Sequence, residues 1–134
     1  ANFMYSDLGQ SNLSNGNFRL ATFRRANLAK SNMRGADLRG SDMSLTYLVG
    51  ADLAGARLDG AILDEARLMG AVLKGASLRK AALRRAKLIR ADLRGADLTG
   101  ADLTDADLQG VDLRGAKLNG VKLTGARGVP PGIR

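Results

Sequence analysis

Ala91-Asp92-Leu93-Arg94-Gly95, Ala96-Asp97-Leu98-Thr99-Gly100, Ala101-Asp102-Leu103-Thr104-Asp105: one five-residue phrase repeats from Ala91 to Leu123. Outward from this stretch the same phase reaches back to Ala1. Every residue whose number ends in 3 or 8, from Phe3 to Leu123, is Leu, Phe or Met, which makes 25 large apolar residues at one fixed spacing. Two positions before each sits a small residue, mostly Ala, with Ser6, Ser11, Gly16, Ser31, Ser41 and Thr46 as early variants. Self-similarity at a fixed period marks a repeat architecture in which each unit needs its neighbours for burial.

A period of five suits neither ordinary element. On a helix five residues advance about 500°, a net of about 140°, and the leucines scatter around the cylinder. In an unbroken strand an odd period throws successive leucines onto opposite faces. Both failures vanish if the chain turns a corner in every pentad. Ala-Asp-Leu is then a three-residue strand with Ala and Leu inward and Asp outward. The next two residues make the corner, where Gly tolerates positive φ. Short sides joined by corners wind into a coil, and stacked coils pair as parallel strands about 4.8 Å apart. The spacing predicts an all-β parallel solenoid with a ladder of leucines inside.

The motif Ala-(Asp/Asn)-Leu-x-x, cleanest at Ala96-Asp97-Leu98-Thr99-Gly100, resembles that of the pentapeptide-repeat proteins over residues 1–125. The resemblance implies a right-handed quadrilateral β-helix with four pentads per coil. That gives about six coils and a rod on the order of 30 Å long. Val129-Pro130-Pro131-Gly132 cannot continue a ladder, and residues 126–134 are expected to be a terminator or linker.

Composition narrows the function. The chain has 134 residues, no cysteine and no histidine, so thiolate chemistry and the commonest general base and metal ligand are all missing. No catalytic, cofactor or metal site is expected, and no small-molecule substrate. No apolar run reaches membrane-spanning length and no signal peptide is visible, which points to the cytoplasm. The chain starts in phase at Ala1 without an initiator Met and is read as a segment of something longer.

Net charge is +8. Ala66 to Arg90 holds eight cations and no acid, and Ala91 to Asp112 holds six acids against Arg94 alone. Placing residues twenty apart above one another sets Arg79 over Asp59, Arg84 over Asp64, Arg85 between Glu65 and Asp105, and Lys87 beside Asp107. Other cations have no acid above or below: Arg34, Lys74, Arg94 and Arg114 share one face, and Arg19 and Arg39 the next. With Arg79 they form a candidate basic surface for nucleic acid or anionic surfaces. No outward aromatic interleaves with these cations to stack bases. Asp92, Asp97, Asp102, Asp107 and Asp112 fall on successive sides of a coil, pointing apart, and are explained by the repeat rather than by catalysis.

The same stacking lines up outward Ala29, Val49, Met69 and Ile89, flanked by Tyr47, Leu45 and Ile62. This apolar stripe is a candidate interface. The early pentads differ from the rest: Phe3, Phe18, Phe23, Met33 and Met43 point inward, with Phe3 and Phe23 on one wall. Their corners hold Tyr5, Gln10, Asn15, Leu20, Arg25 and Lys30 in place of Gly, and a different turn type is expected there. The leading functional expectation is a non-enzymatic scaffold or protein–protein interaction module, with a protein partner or a second copy. The resemblance adds an alternative, a DNA-mimic that binds type II topoisomerase or gyrase, which requires an acidic surface. Direct binding of nucleic acid through the arginines is the third.

Overall fold

The computed structural model describes residues 1–133; Arg134, the last residue of the expected terminator, lies outside them. Among the described residues there is no helix, only single-residue bridges and two-residue turns recurring every five residues. The second residue of each pentad makes the bridge. Every bridge is parallel and joins residues twenty apart, from Asn2 with Thr22 to Asp107 with Arg127.

The pentad Ala51-Asp52-Leu53-Ala54-Gly55 shows why the phrase has the residues it has. The Ala51 N–H donates to the Leu48 carbonyl (3.0 Å) and closes the preceding corner as a β-turn. Asp52 donates to Ser31 on one side (2.9 Å), Leu53 to Val72 on the other (2.6 Å), and Gly55 to Lys74 (3.0 Å). Only the Ala54 N–H faces no carbonyl, and Asp52 Oδ1 accepts it at 3.1 Å. The acid or amide in second place thus satisfies the one backbone donor that the ladder leaves over. Asn does the same at Asn2, Asn12, Asn27 and Asn32. Between Arg57 and Lys87 the second place loses this side chain. There Arg84 turns instead to Asp64 Oδ1 of the adjacent coil, 3.0 Å away.

The core is the predicted ladder. From Ala21 to Leu113 the inward small and large apolar residues are buried, and Phe3, Leu8, Leu13, Phe18, Leu118 and Leu123 are partly so. Phe3 and Phe23 stack with ring centroids 4.8 Å apart and planes 11° from parallel. Phe18 meets both edge-on, at 5.9 and 5.5 Å. Gly16 makes this possible, since a Cβ there would run into the Phe18 ring.

The corners differ from expectation. Tyr5, Gln10, Asn15, Leu20, Arg25 and Lys30 take φ of 56–62°, against 65–73° for the corner glycines from Gly35 to Gly125. All lie in the left-handed region, so the early corners keep the same kind of turn. Ladder bonds to the next coil, and for the corners of Arg25 and Lys30 to the preceding one as well, hold non-glycine residues there despite a cost of about 1–2 kcal/mol each. At the other end the ladder runs to Arg127, two residues beyond the last full pentad, and Val129 and Ile133 pack against the core.

Candidate interaction surfaces

The apolar column stacks as its spacing predicted. The N–H groups of Lys30, Gly50 and Gly70 donate to the carbonyls of Val49, Met69 and Ile89, each at 3.0 Å. Ala29, Val49, Met69 and Ile89 therefore sit on consecutive coils. Val49 is 38% exposed and Tyr47, two residues before it, 44%; Ala29, Met69 and Ile89 are half-buried. Leu45 lies beside Tyr47 in one groove, whereas Ile62 bridges Asp42 and Ala82 in another column.

Most of the candidate basic surface is neutralised. Arg34 reaches Asp52 (3.1 Å), Arg79 reaches Asp97 (3.1 Å), Arg94 closes on Asp92 (2.7 Å) and Arg114 on Asp112 (2.6 Å). Arg39 and Arg19 share Asp37, at 2.6 and 3.9 Å. Of the seven, Lys74 alone closes no ion pair among the described residues. Counting straight up and down the columns missed these partners for two geometric reasons. An arginine in the fourth place folds back onto the acid two residues earlier, or reaches diagonally to an acid eighteen residues on. So Arg79 stands over Asp59 in register but pairs with Asp97. Arg84 does pair vertically with Asp64, at 2.8 Å. Lys87 bridges Asp107 through the backbone, yet Asp107 takes Arg127 as its ionic partner at 3.4 Å.

These contacts depress the carboxylates. The Arg39 guanidinium beside Asp37 holds it at about 2, and Arg114 does the same to Asp112. The Thr99 hydroxyl and N–H, with Arg79, hold Asp97 at about 2. Asp92 is lowered chiefly by Arg94 and Asp102 by Thr104. The aspartate row thus serves its own corners and neighbouring arginines.

Four of the cations without an ionic partner meet at one corner that the sequence reading did not single out. Arg25, Arg67, Arg85 and Lys87 line one groove with Tyr5, Leu45, Tyr47 and Glu65. The Arg67 guanidinium lies 5.1 Å from the centre of the Tyr47 ring. None of the four closes an ion pair among the described residues. Arg85 stands in column between Glu65 and Asp105 as expected, without ionic contact to either. The missed signal was the column of residues 5, 25, 45, 65 and 85 next to the column of 47, 67 and 87, two neighbouring columns that meet across one corner.

Comparisons with known proteins agree with this architecture. Pentapeptide repeats are matched in eight copies over residues 1–40, 31–68, 51–88, 66–105 and 86–125. Among solved structures the chain is similar to HetL, a pentapeptide repeat protein involved in heterocyst differentiation regulation in the cyanobacterium Nostoc sp. strain PCC 7120. Identity is 29% over 96% of this chain and 77% of HetL, with a TM-score of 0.53. It is also similar to a pentapeptide repeat protein of the Arabidopsis thaliana thylakoid lumen, 29% identical over 81% of this chain and 68% of that one, TM-score 0.58. No curated protein sequence matches it. The repeat matched along nearly the whole chain, on a ladder of bridges twenty residues apart, places this protein in the pentapeptide repeat family.

Proposed function

We propose that this chain is a non-enzymatic scaffold, a protein–protein interaction module that presents flat faces of a rigid rod. The rod is a right-handed quadrilateral β-helix of about six coils over residues 1–125, its ladder carried on to Arg127 and ended by residues 128–133; the bridges between residues twenty apart support four pentads per coil. The observation that carries the reading is the stack of Ala29, Val49, Met69 and Ile89 beside exposed Tyr47. A contiguous apolar column on an otherwise charged surface suits a contact with another protein or a second copy, at roughly 25 cal/mol per Å² of apolar area covered. The absence of His and Cys from the sequence supports a role without catalysis. The DNA-mimic alternative needs an acidic face, and Asp92, Asp97, Asp107 and Asp112 each carry an arginine.

The test is the double variant Val49→Lys with Met69→Lys, examined by sedimentation velocity and circular dichroism. The side chains point outward, so the β signal and melting temperature should stay close to those of the native chain. Self-association, or binding to an identified protein partner, should be lost. A double variant that keeps both its assembly state and its partner would reduce the stripe to sequence drift.

A further inference from the structure

The groove between Tyr5 and Lys87 has a property that no other corner of the rod shares. Its corner column carries Tyr5, Arg25, Leu45, Glu65, Arg85 and Asp105, six coils in succession without a glycine, all at φ 58–62°. In the other three columns glycine fills at least half of the corners between residues 10 and 120. Each non-glycine residue in this conformation costs about 1–2 kcal/mol relative to glycine. The same φ occurs on non-glycine residues singly or in one pair in the other columns, but six successive levels without glycine place six side chains along one edge, beside the groove.

What the side chains share is chemistry for a polyanion with flat rings. The groove of about 420 Å³ is lined by four cations against one acid, Glu65. Both tyrosines of the chain are in it, Tyr5 69% and Tyr47 44% exposed. Arg67 already lies against the Tyr47 ring, which presents a guanidinium beside an aromatic face. From Tyr5 to Arg85 the groove follows the rod over four strand spacings, about 19 Å. The sequence pI of about 10.6 adds long-range attraction for phosphates. The geometry points to a binding groove for single-stranded nucleic acid, with Arg25, Arg67, Arg85 and Lys87 on phosphates and Tyr47 and Tyr5 as stacking platforms. A row of cations with interleaved aromatics is how strands are held without base-edge readout. Duplex is disfavoured because the three-residue rungs lie flush with the rod, and among the described residues no helix or ribbon projects to enter a major groove. The groove shares Tyr47 with the apolar column but not Val49 or Met69. The lysine pair at those positions tests the column and the loss of Arg67 and Lys87 tests the groove, so either can fail alone.

The test follows fluorescein-labelled oligo(dT) of about 20 nucleotides by anisotropy on the full chain, with circular dichroism melts on every variant. Binding should weaken with salt at a slope of about −3 in log K against log concentration, from four contacts at about −0.7 each. Arg67→Gln with Lys87→Gln should reduce that slope by about 1.4. Arg39→Gln with Arg114→Gln, an equal loss of charge at ion-paired positions, should leave it unchanged. Tyr47→Leu, which keeps bulk without a ring, should weaken binding about tenfold, and Tyr47→Phe should restore it. An abasic strand of the same length should bind the native chain at least about tenfold more weakly, with a smaller gap in Tyr47→Leu, where only Tyr5 is left to stack. Arg85→Gly should raise the melting temperature while lowering affinity. Any of four results overturns the proposal: no binding, equal loss in the control pair, equal binding of the abasic strand, or tighter binding of a duplex. Displacement of oligo(dT) by an equal concentration of poly-glutamate would overturn it too, and would assign the groove to an acidic polypeptide.

Discussion

Arg39 holds Asp37, two residues before it, with Nε 2.8 Å from Oδ1 and Nη2 2.6 Å from Oδ2. Asp37 Oδ1 also accepts the Arg39 N–H at 3.3 Å, so one carboxylate fixes the corner and the cation together. Arg94 with Asp92 and Arg114 with Asp112 repeat the arrangement. An exposed pair adds only tenths of a kcal/mol to about 1, so its main effect is order at the corner.

The pH dependence follows from these carboxylates. Asp37, Asp97 and Asp112 sit at about 2 in the folded chain, below the ordinary 3.8. Between those values the unfolded chain binds more protons than the folded one, so stability rises with pH there. The contribution is complete above about pH 4 and is lost as pH falls through about 2. Melting temperature should be nearly flat from neutrality to about pH 4 and drop below it. Asp37→Asn with Asp97→Asn should stay folded at neutral pH, because the amide oxygen still accepts the corner N–H as Asn12 and Asn32 do. Its drop in acid should be shallower. An identical acid limb in calorimetry would show that these two groups do not carry the dependence.

The sequence displayed the ladder because the ladder is one-dimensional: a period of five with Leu, Phe or Met at every fifth place admits few geometries. The stacks of Phe3 on Phe23 and of Val49 on Met69 followed from adding twenty. Side-chain reach was not legible in the same way. Arg79 can extend straight down, back or diagonally, and its choice of Asp97 over Asp59 depends on rotamers and on which carboxylate the Thr99 corner holds in place. The tyrosine groove was hidden for a related reason. Its residues come from two columns that are neighbours only across a corner. Read along the chain, Tyr47 falls with the apolar stripe, and Arg67 and Lys87 fall among the eight cations from Ala66 to Arg90. Left-handed φ at Tyr5 or Leu20 contradicts local preference, and the ladder to the next coil, through Arg24 and Arg39, imposes it.

Backbone strain at the corners can be measured with little else changing. A Cβ on Gly55 would meet nothing within 4 Å, so Gly55→Ala changes little but the cost of φ 67°. It should destabilise by about 1 kcal/mol. Leu20 is the converse, at φ 60° and 80% exposed. Leu20→Gly should stabilise by about the same amount, its gain in corner geometry outweighing the small contact of its side chain with the Gly40 corner. Urea midpoints at constant slope would check both. Shifts of the same sign for the two variants would show that side-chain contacts, and not φ, govern the corners.

Three buried hydroxyls, at Ser31, Ser41 and Thr46, stand in the inward slot that later pentads fill with Ala, and they are not equivalent. Ser31 Oγ donates to the Leu28 carbonyl at 2.7 Å and Thr46 Oγ1 to that of Met43 at 2.8 Å. Ser41 Oγ is equally buried and finds no partner. A buried hydroxyl without a hydrogen bond carries a desolvation cost of about 1–3 kcal/mol, whereas a bonded one contributes about 1. Ser41→Ala should therefore stabilise the rod by about 1 kcal/mol, and Ser31→Ala should be neutral or destabilise by up to about 1. Neither change opens a large void, because each removes one oxygen from a slot that suits a methyl group. Thermal melts of the two variants and their double mutant would decide it. Equal losses at both positions would mean that Ser41 has a partner in solution, and a gain confined to Ser41 would place the cost on its unbonded hydroxyl.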